Sequence, residues 1–160
     1  MALHWLAANQ SSSGSFGDYR EHWAAAAAYA LWLNDSNSAN AALSYSYLAK
    51  QMSDSSSWFW AAYGEADVPG FVLYSLASSS NLGLVNPRSV AAELSQFQKS
   101  TGGFAGYYDL DQGQTVPSSV DTDMALLGLL SSNLCCRHGG HRQLLPVQLI
   151  PSQNRTRAIQ

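Results

Sequence analysis

A spacing of 44 residues recurs along this chain and constrains its fold more than any other feature of the sequence. Four sets of three positions follow it. They are Gln10, Asp54 and Gln98; Ser12, Ser56 and Ser100; Phe16, Trp60 and Phe104; and Tyr19, Tyr63 and Tyr107. Because self-similarity at a fixed period is typical of repeat architectures, the sequence predicts three copies of one structural unit.

The first and third units share a longer pattern. In both, a Leu is followed by a Gln four positions later, a Gly four positions after that, and an aromatic residue two positions after the Gly. Its members are Leu6, Gln10, Gly14 and Phe16 in the first unit and Leu94, Gln98, Gly102 and Phe104 in the third. The middle unit keeps only the register, since it has Asp54 in place of Gln and Trp58 in place of Gly.

Each unit is predicted to be a helix, a Ser- and Gly-rich loop and a second helix. The first helices are amphipathic, as in 87–98, where Val90, Leu94 and Phe97 share a face. The second helices, predicted at 23–33, 67–78 and 118–131, are apolar nearly all round. Helices of about 11 residues are too short to span a bilayer, so other helices must surround them. The pattern therefore predicts an all-α fold with apolar inner helices and amphipathic outer ones.

The charges divide the chain into two parts. All acidic residues lie at or before Asp123, whereas four of the 8 basic residues follow Leu134, where the repeat also stops. The sequence therefore predicts one domain over 1–133 and a disordered basic tail over 134–160. An acidic domain argues against a nucleic-acid partner.

The cysteines and the N-terminus indicate the compartment. The only cysteines, Cys135 and Cys136, are adjacent and form no disulfide framework, so a reducing environment is expected. The sequence Met-Ala-Leu-His-Trp-Leu has neither a basic start nor a long apolar stretch. We therefore expect a cytoplasmic protein with no membrane span.

The repeated Gln, Gly and aromatic pattern resembles that of the terpenoid cyclase and protein prenyltransferase superfamily, over residues 3–132. That family forms an α/α toroid of six helical hairpins, so the resemblance implies that this chain supplies three, half a toroid. It also implies that Gln10 and Gln98 bridge backbone groups at helix ends, with Phe16 and Phe104 packed over them. The implied ligand is an isoprenoid.

The same resemblance gives candidate catalytic residues. In prenyltransferases a Gly-Gly-Phe loop precedes a Val-Asp-x-Cys stretch that binds zinc, and here Asp121 matches the Asp while Asp123 replaces the Cys. Cyclases instead use Asp-x-Asp-Asp as a proton donor, and 121–123 has one carboxylate fewer. Asp121 and Asp123 are therefore the candidate catalytic residues, with Asp121 the candidate zinc ligand. The alternative is that both carboxylates stabilise the positive end of a helix.

Aromatic residues near the loops are candidates for the lining of a cavity. They are Tyr19, Trp60, Tyr63 and Tyr107. Their faces could stabilise a carbocation, although aromatic residues at a fixed period can also serve packing alone. Glu21, Glu65 and Asp109 leave a third possibility, a carbohydrate-active toroid with paired carboxylates.

Half a toroid would leave the inner helices 23–33 and 118–131 with uncovered apolar flanks. Self-association or a missing toroid half is expected to cover them. Two functions remain open at this point: an isoprenoid-handling enzyme domain, and a non-enzymatic or inactive interaction module.

Overall fold

The computed structural model describes residues 2–17, 21–54 and 65–132, without the side chains of residues 21, 22, 107 and 108. These residues are mostly helical, with one small sheet. The helices are α1 (Ala2–Ala8), α2 (Glu21–Asn34), α3 (Ala39–Ser53), α4 (Asp67–Ser78), α5 (Pro87–Ser95) and α6 (Ser119–Ser131). A 3₁₀ turn occupies Leu82–Leu84, and the sheet consists of β1 (Ala105–Asp109) and β2 (Gln114–Pro117).

Side-chain caps fix where three of the helices begin. The Ser38 hydroxyl accepts from the Ala41 amide at the start of α3, and Ser118 does the same for Asp121 at the start of α6. Asn86 accepts from two amides of α5, in which Pro87 occupies the first turn. Each cap satisfies donors that the helix itself cannot pair.

The three predicted inner helices are present within two residues of their predicted bounds, as α2, α4 and α6. The outer helix predicted over 87–98 ends earlier, at Ser95. Gln98 instead pairs with Phe104 in an isolated antiparallel bridge. The helical part of the prediction is thus confirmed in the described ranges, and the toroid arrangement stays a prediction.

The inner helices lie in one layer with α4 in the middle, between α2 and α6. The Ser75 hydroxyl on α4 donates to the Ala25 carbonyl on α2, at 3.1 Å. From the other layer, α3 packs on α2 and directs Tyr45 to Ser75, with 3.3 Å between the two hydroxyl oxygens. Burial raises the pKa of Tyr45, because the charged phenolate loses its hydration.

The crossing of α4 and α6 depends on two glycines. A Cβ atom added to Gly128 would lie 2.3 Å from the carbonyl oxygen of Gly70, and one added to Gly70 would lie 2.5 Å from the Met124 oxygen. Both contacts are with backbone atoms, which cannot rotate away. The absence of side chains at these positions therefore lets the two backbones approach closely.

The two edge helices of the layer are incompletely covered. No residue of α4 is fully exposed, but α2 exposes Trp23 and Leu33 (56% and 63%), and α6 exposes Val120 and Leu130 (60% each). The exposed positions of α6 are 119, 120, 123, 127 and 130, which lie along a single stripe of the helix. Within the described residues, the helical layer is therefore open at both edges.

The prediction of an all-α chain is wrong in one respect, the antiparallel hairpin β1–β2. Tyr107 pairs with Val116 and Tyr108 with Thr115. Aromatic and β-branched residues favour strands, and they flank a turn of Asp, Gln and Gly. In this turn Asp109 accepts hydrogen bonds from the amides of Asp111 and Gln112.

Among the residues that the structure describes, none of the helices combines the length and the apolar character that crossing a membrane requires.

Candidate functional site

The Gln10 and Gln98 loops have the same backbone structure. Gly14 and Gly102 both adopt positive φ, 97° and 89°. Each glycine amide donates to the carbonyl three residues before it, with distances of 3.0 Å to Ser11 and 2.8 Å to Lys99. In both loops the glutamine side chain donates to the glycine carbonyl, at 3.5 Å in the first loop and 3.1 Å in the third.

Gln10 joins its loop to the first turns of α3. Its Nε2 donates to the Asn40 carbonyl at 2.7 Å and to the Ser44 hydroxyl at 2.6 Å, while its Oε1 accepts from Asn40 Nδ2 at 2.6 Å. The Ser44 hydroxyl in turn donates to the Gly14 carbonyl at 2.8 Å. This network connects residues that are 30 or more apart in sequence.

The third loop is held instead by α6. The amide of Phe104 donates to Thr122 Oγ1 at 2.9 Å, and the same hydroxyl donates to the Ser118 carbonyl at 2.7 Å. Phe104 is buried, whereas Phe16 in the first loop is half-buried and packs against the core. The two loops thus share a backbone but differ in what they contact.

The two glutamines give a matched pair for mutation. Gln10→Ala is expected to lower the free energy of unfolding by about 2 kcal/mol, because it removes hydrogen bonds that tie the first loop to α3. Gln98→Ala removes a single bond within its own loop and should cost about 1 kcal/mol or less. Urea unfolding of both variants measures the difference, and an equal loss would contradict the unequal roles of the two side chains.

Asp121 is buried, caps the start of α4 and contacts Ser118, the residue that caps α6. Its Oδ1 accepts from the backbone amide of Asp67 at the start of α4, at 3.2 Å, and its Oδ2 accepts from the Ser118 hydroxyl. The Ser118 hydroxyl also accepts from the Asp121 amide, which caps the start of α6. Gly106 leaves the room for this carboxylate, since a Cβ there would lie 2.5 Å from Asp121 Oδ2.

Asp123 lies on a different face of α6 and is exposed, so the two aspartates do not form a carboxylate pair. Within 2–17, 21–54 and 65–132, no three His, Cys, Asp or Glu side chains come together as metal ligands do. Both oxygens of Asp121 face hydrogen-bond donors, which suits a cap and not a zinc ligand. The described residues therefore do not fit the zinc site that the resemblance implies.

Most of the aromatics predicted to line a cavity fall outside the described part of the chain. Tyr19, Trp60 and Tyr63 lie outside the described residues, and Tyr107 is placed on β1 by its backbone alone. For the carbohydrate alternative, the side chain of Glu21 is likewise not described, and Asp109 holds the hairpin turn. The cavity predicted from Tyr19, Trp60 and Tyr63 therefore lies outside the described residues and stays a prediction.

A different aromatic cluster lies on the inner layer, formed by Tyr29 and Trp32 of α2 and Phe71 and Tyr74 of α4. Tyr29 stacks on Trp32 and meets Tyr74 edge to face, with both centroid distances at 5.9 Å. Phe71 stacks on Tyr74 at 6.0 Å. All four side chains are half-buried. We call this set the inner aromatic cluster.

The inner aromatic cluster lies at the edge of the core, against which Trp32 and Phe71 pack. On α4 the buried residues Val72, Leu73 and Leu76 form the opposite side of the helix from Phe71 and Tyr74. Desolvation, together with the neighbouring Tyr74, raises the pKa of Tyr29, so this hydroxyl stays neutral at physiological pH. The cluster is therefore an uncharged aromatic surface that is partly open to solvent.

Sequence reasoning missed this cluster, although a signal was available. Each of the two inner helices carries aromatic residues three positions apart, Tyr29 and Trp32 on one and Phe71 and Tyr74 on the other. Residues with this spacing lie on the same face of a helix.

Comparisons with protein-family models, curated proteins and solved structures found no match to this chain.

Proposed function

We propose that this chain is part of an α/α toroid and holds an isoprenoid or a similar apolar chain against its inner helical layer. The observation that carries the proposal is the inner aromatic cluster. An apolar ligand that covers half-exposed aromatic rings gains about 25 cal/mol for each Å² of apolar surface removed from water. The rings also present faces that attract a cationic carbon centre.

The chemistry proposed for this surface does not depend on Asp121. That carboxylate is occupied by hydrogen bonds from Asp67 and Ser118, and it lies buried. Asp123 is exposed on the same helix, so of the two candidate acids it is the one free to meet a ligand. The proposal therefore rests on ligand binding by the inner aromatic cluster. Asp123 is the residue that we propose for any step of prenyl transfer or cyclisation.

Calorimetric titration with farnesyl diphosphate tests the proposed binding. Tyr74→Leu is expected to weaken binding about tenfold, because it removes a ring that contacts both Tyr29 and Phe71. Tyr47→Leu, on the outer helix α3, provides the matched control and should bind as the unaltered chain does. Binding that inorganic diphosphate reproduces, or that Tyr74→Leu leaves unchanged, would count against the proposal.

A second candidate function is a non-enzymatic interaction module. The uncovered apolar residues at the two edges of the layer favour it, since exposed apolar patches commonly mark protein contacts. In that case the edges of α2 and α6 associate with a second copy or with a separate toroid half. Sedimentation velocity over a range of concentrations tests association with a second copy. A compact monomer at every concentration would exclude self-association.

A further inference from the structure

One end of the inner aromatic cluster is formed by hydroxyl groups. Tyr74 and Ser78 lie four positions apart on α4, so their side chains share a face of that helix. The Tyr29 hydroxyl of α2 interacts with the hydroxyls of both residues. Phe71, which stacks on Tyr74 from the other side, has no polar atom in its side chain. The cluster therefore has an apolar end at Phe71 and, at the three hydroxyls, what we call its hydroxyl end.

The hydroxyl end lies towards the C-terminal ends of two inner helices. Ser75 of α4 bonds to the Ala25 carbonyl of α2. One turn further along both helices, Ser78 meets Tyr29, so α2 and α4 run in the same direction. Ser78 is the last residue of α4. Because the C-terminal end of a helix carries a partial negative charge, an anionic ligand group is disfavoured beside it.

The charges of the inner helices also disfavour an anionic ligand. The sequences of α2, α4 and α6 contain four acidic residues and no Lys or Arg. The basic residue closest to Tyr29 in the sequence is Arg20, which precedes the opposite, N-terminal end of α2. These three helices therefore supply hydroxyl donors, but no cation, to a diphosphate group that loses its hydration on binding.

Neutral hydroxyl groups are better matched by a ligand that both donates and accepts hydrogen bonds. Desolvation raises the pKa of Tyr29, so this hydroxyl keeps its proton at physiological pH. Each hydroxyl of the cluster can accept more hydrogen bonds than it donates. An ionised diphosphate only accepts them, whereas an alcohol can also donate to the unused acceptor positions. The hydroxyl end is therefore chemically complementary to an alcohol.

We propose that the inner aromatic cluster selects an uncharged prenyl alcohol over the corresponding diphosphate. The ligand hydroxyl bonds at Tyr29, Tyr74 and Ser78, and its chain lies along the rings towards the apolar end. This inference rests on the proposed binding of an isoprenoid and names the head group of that ligand. A prenyl hydrocarbon covers the same rings but leaves the hydroxyl end unmatched, so it binds less tightly than the alcohol.

Calorimetric titration with three ligands of the same chain length tests this preference. Farnesol should bind about tenfold more tightly than farnesyl diphosphate, and about fivefold more tightly than farnesene, which has no oxygen. Tyr74→Phe keeps the ring and removes the hydroxyl. It should weaken farnesol binding about fivefold, the factor for one hydrogen bond of ordinary strength, and leave farnesene binding unchanged. Ser78→Ala is a second variant with the same expected effects.

The matched control is Tyr47→Phe, which makes the same chemical change on the outer helix α3. It should bind all three ligands as the unaltered chain does. Failure of all three ligands to bind the unaltered chain would overturn the proposed function and the preference together. If Tyr74→Leu weakens binding but the diphosphate binds as tightly as farnesol, the proposed function stands and the preference is wrong. Unchanged farnesol binding by both hydroxyl variants would also overturn the preference.

Discussion

Asp121→Ala is expected to lower the free energy of unfolding by about 2 to 3 kcal/mol. The substitution removes two hydrogen bonds. The Asp67 amide loses its acceptor at the start of α4, and the Ser118 hydroxyl loses its acceptor at the start of α6. Loss of a buried acceptor costs about 1 to 3 kcal/mol, and loss of a helix cap typically about 1 kcal/mol. Urea unfolding followed by circular dichroism measures the change.

Asp123→Ala is the control for this prediction, because it removes the same side chain two residues further along α6, at an exposed position. Its stability should stay within about 0.5 kcal/mol of the unaltered chain, as for most surface substitutions. Similar losses of unfolding free energy in both variants would contradict this account. They would mean that the negative charge of this segment stabilises the protein and that the hydrogen bonds of Asp121 do not. Ligand binding measured on both variants would then show whether Asp123 has the functional role proposed for it.

Gly128→Ala is expected to destabilise the protein by about 2 kcal/mol, although alanine is the better helix former. Propensity alone would favour the substitution by about 1 kcal/mol. The new methyl group, however, would meet the backbone oxygen of Gly70 at 2.3 Å, so α4 and α6 must move apart. Overpacking of this kind typically costs about 1 to 3 kcal/mol.

The control for the glycine contact is Gly83→Ala, where an added Cβ meets nothing within 4 Å. Its melting temperature should equal or slightly exceed that of the unaltered chain, because alanine restricts the unfolded chain more than glycine does. A Gly128→Ala protein that melts at or above the unaltered temperature would contradict the close approach of the two inner helices.

The parts of the fold that local chemistry determines could be predicted from the sequence. The repeat identified the Gln10 and Gln98 loops, in which Gly14 and Gly102 adopt a backbone conformation that other residues rarely take. The inner helix predicted over 67–78 has the same bounds in the structure, as α4. The alternative role considered for Asp121, a carboxylate at the positive end of a helix, agrees with the hydrogen bonds that it makes.

The parts that depend on neighbouring elements could not be predicted. The inner helices are apolar on all sides, so their sequences do not indicate which side packs and which stays open. The inner aromatic cluster follows from the position of α4 between α2 and α6, which is a tertiary property. The hairpin was missed because Tyr107 was assigned to a cavity, although aromatic residues near a Gly turn also favour strands.

A crystal structure of the chain with farnesyl diphosphate bound tests the central proposal most directly. We expect the prenyl chain to lie on the inner helical layer, in contact with Tyr29, Phe71 and Tyr74, with α2, α4 and α6 side by side. A prenyl chain bound elsewhere, or crystals grown with saturating ligand that leave these rings uncovered, would contradict the proposal.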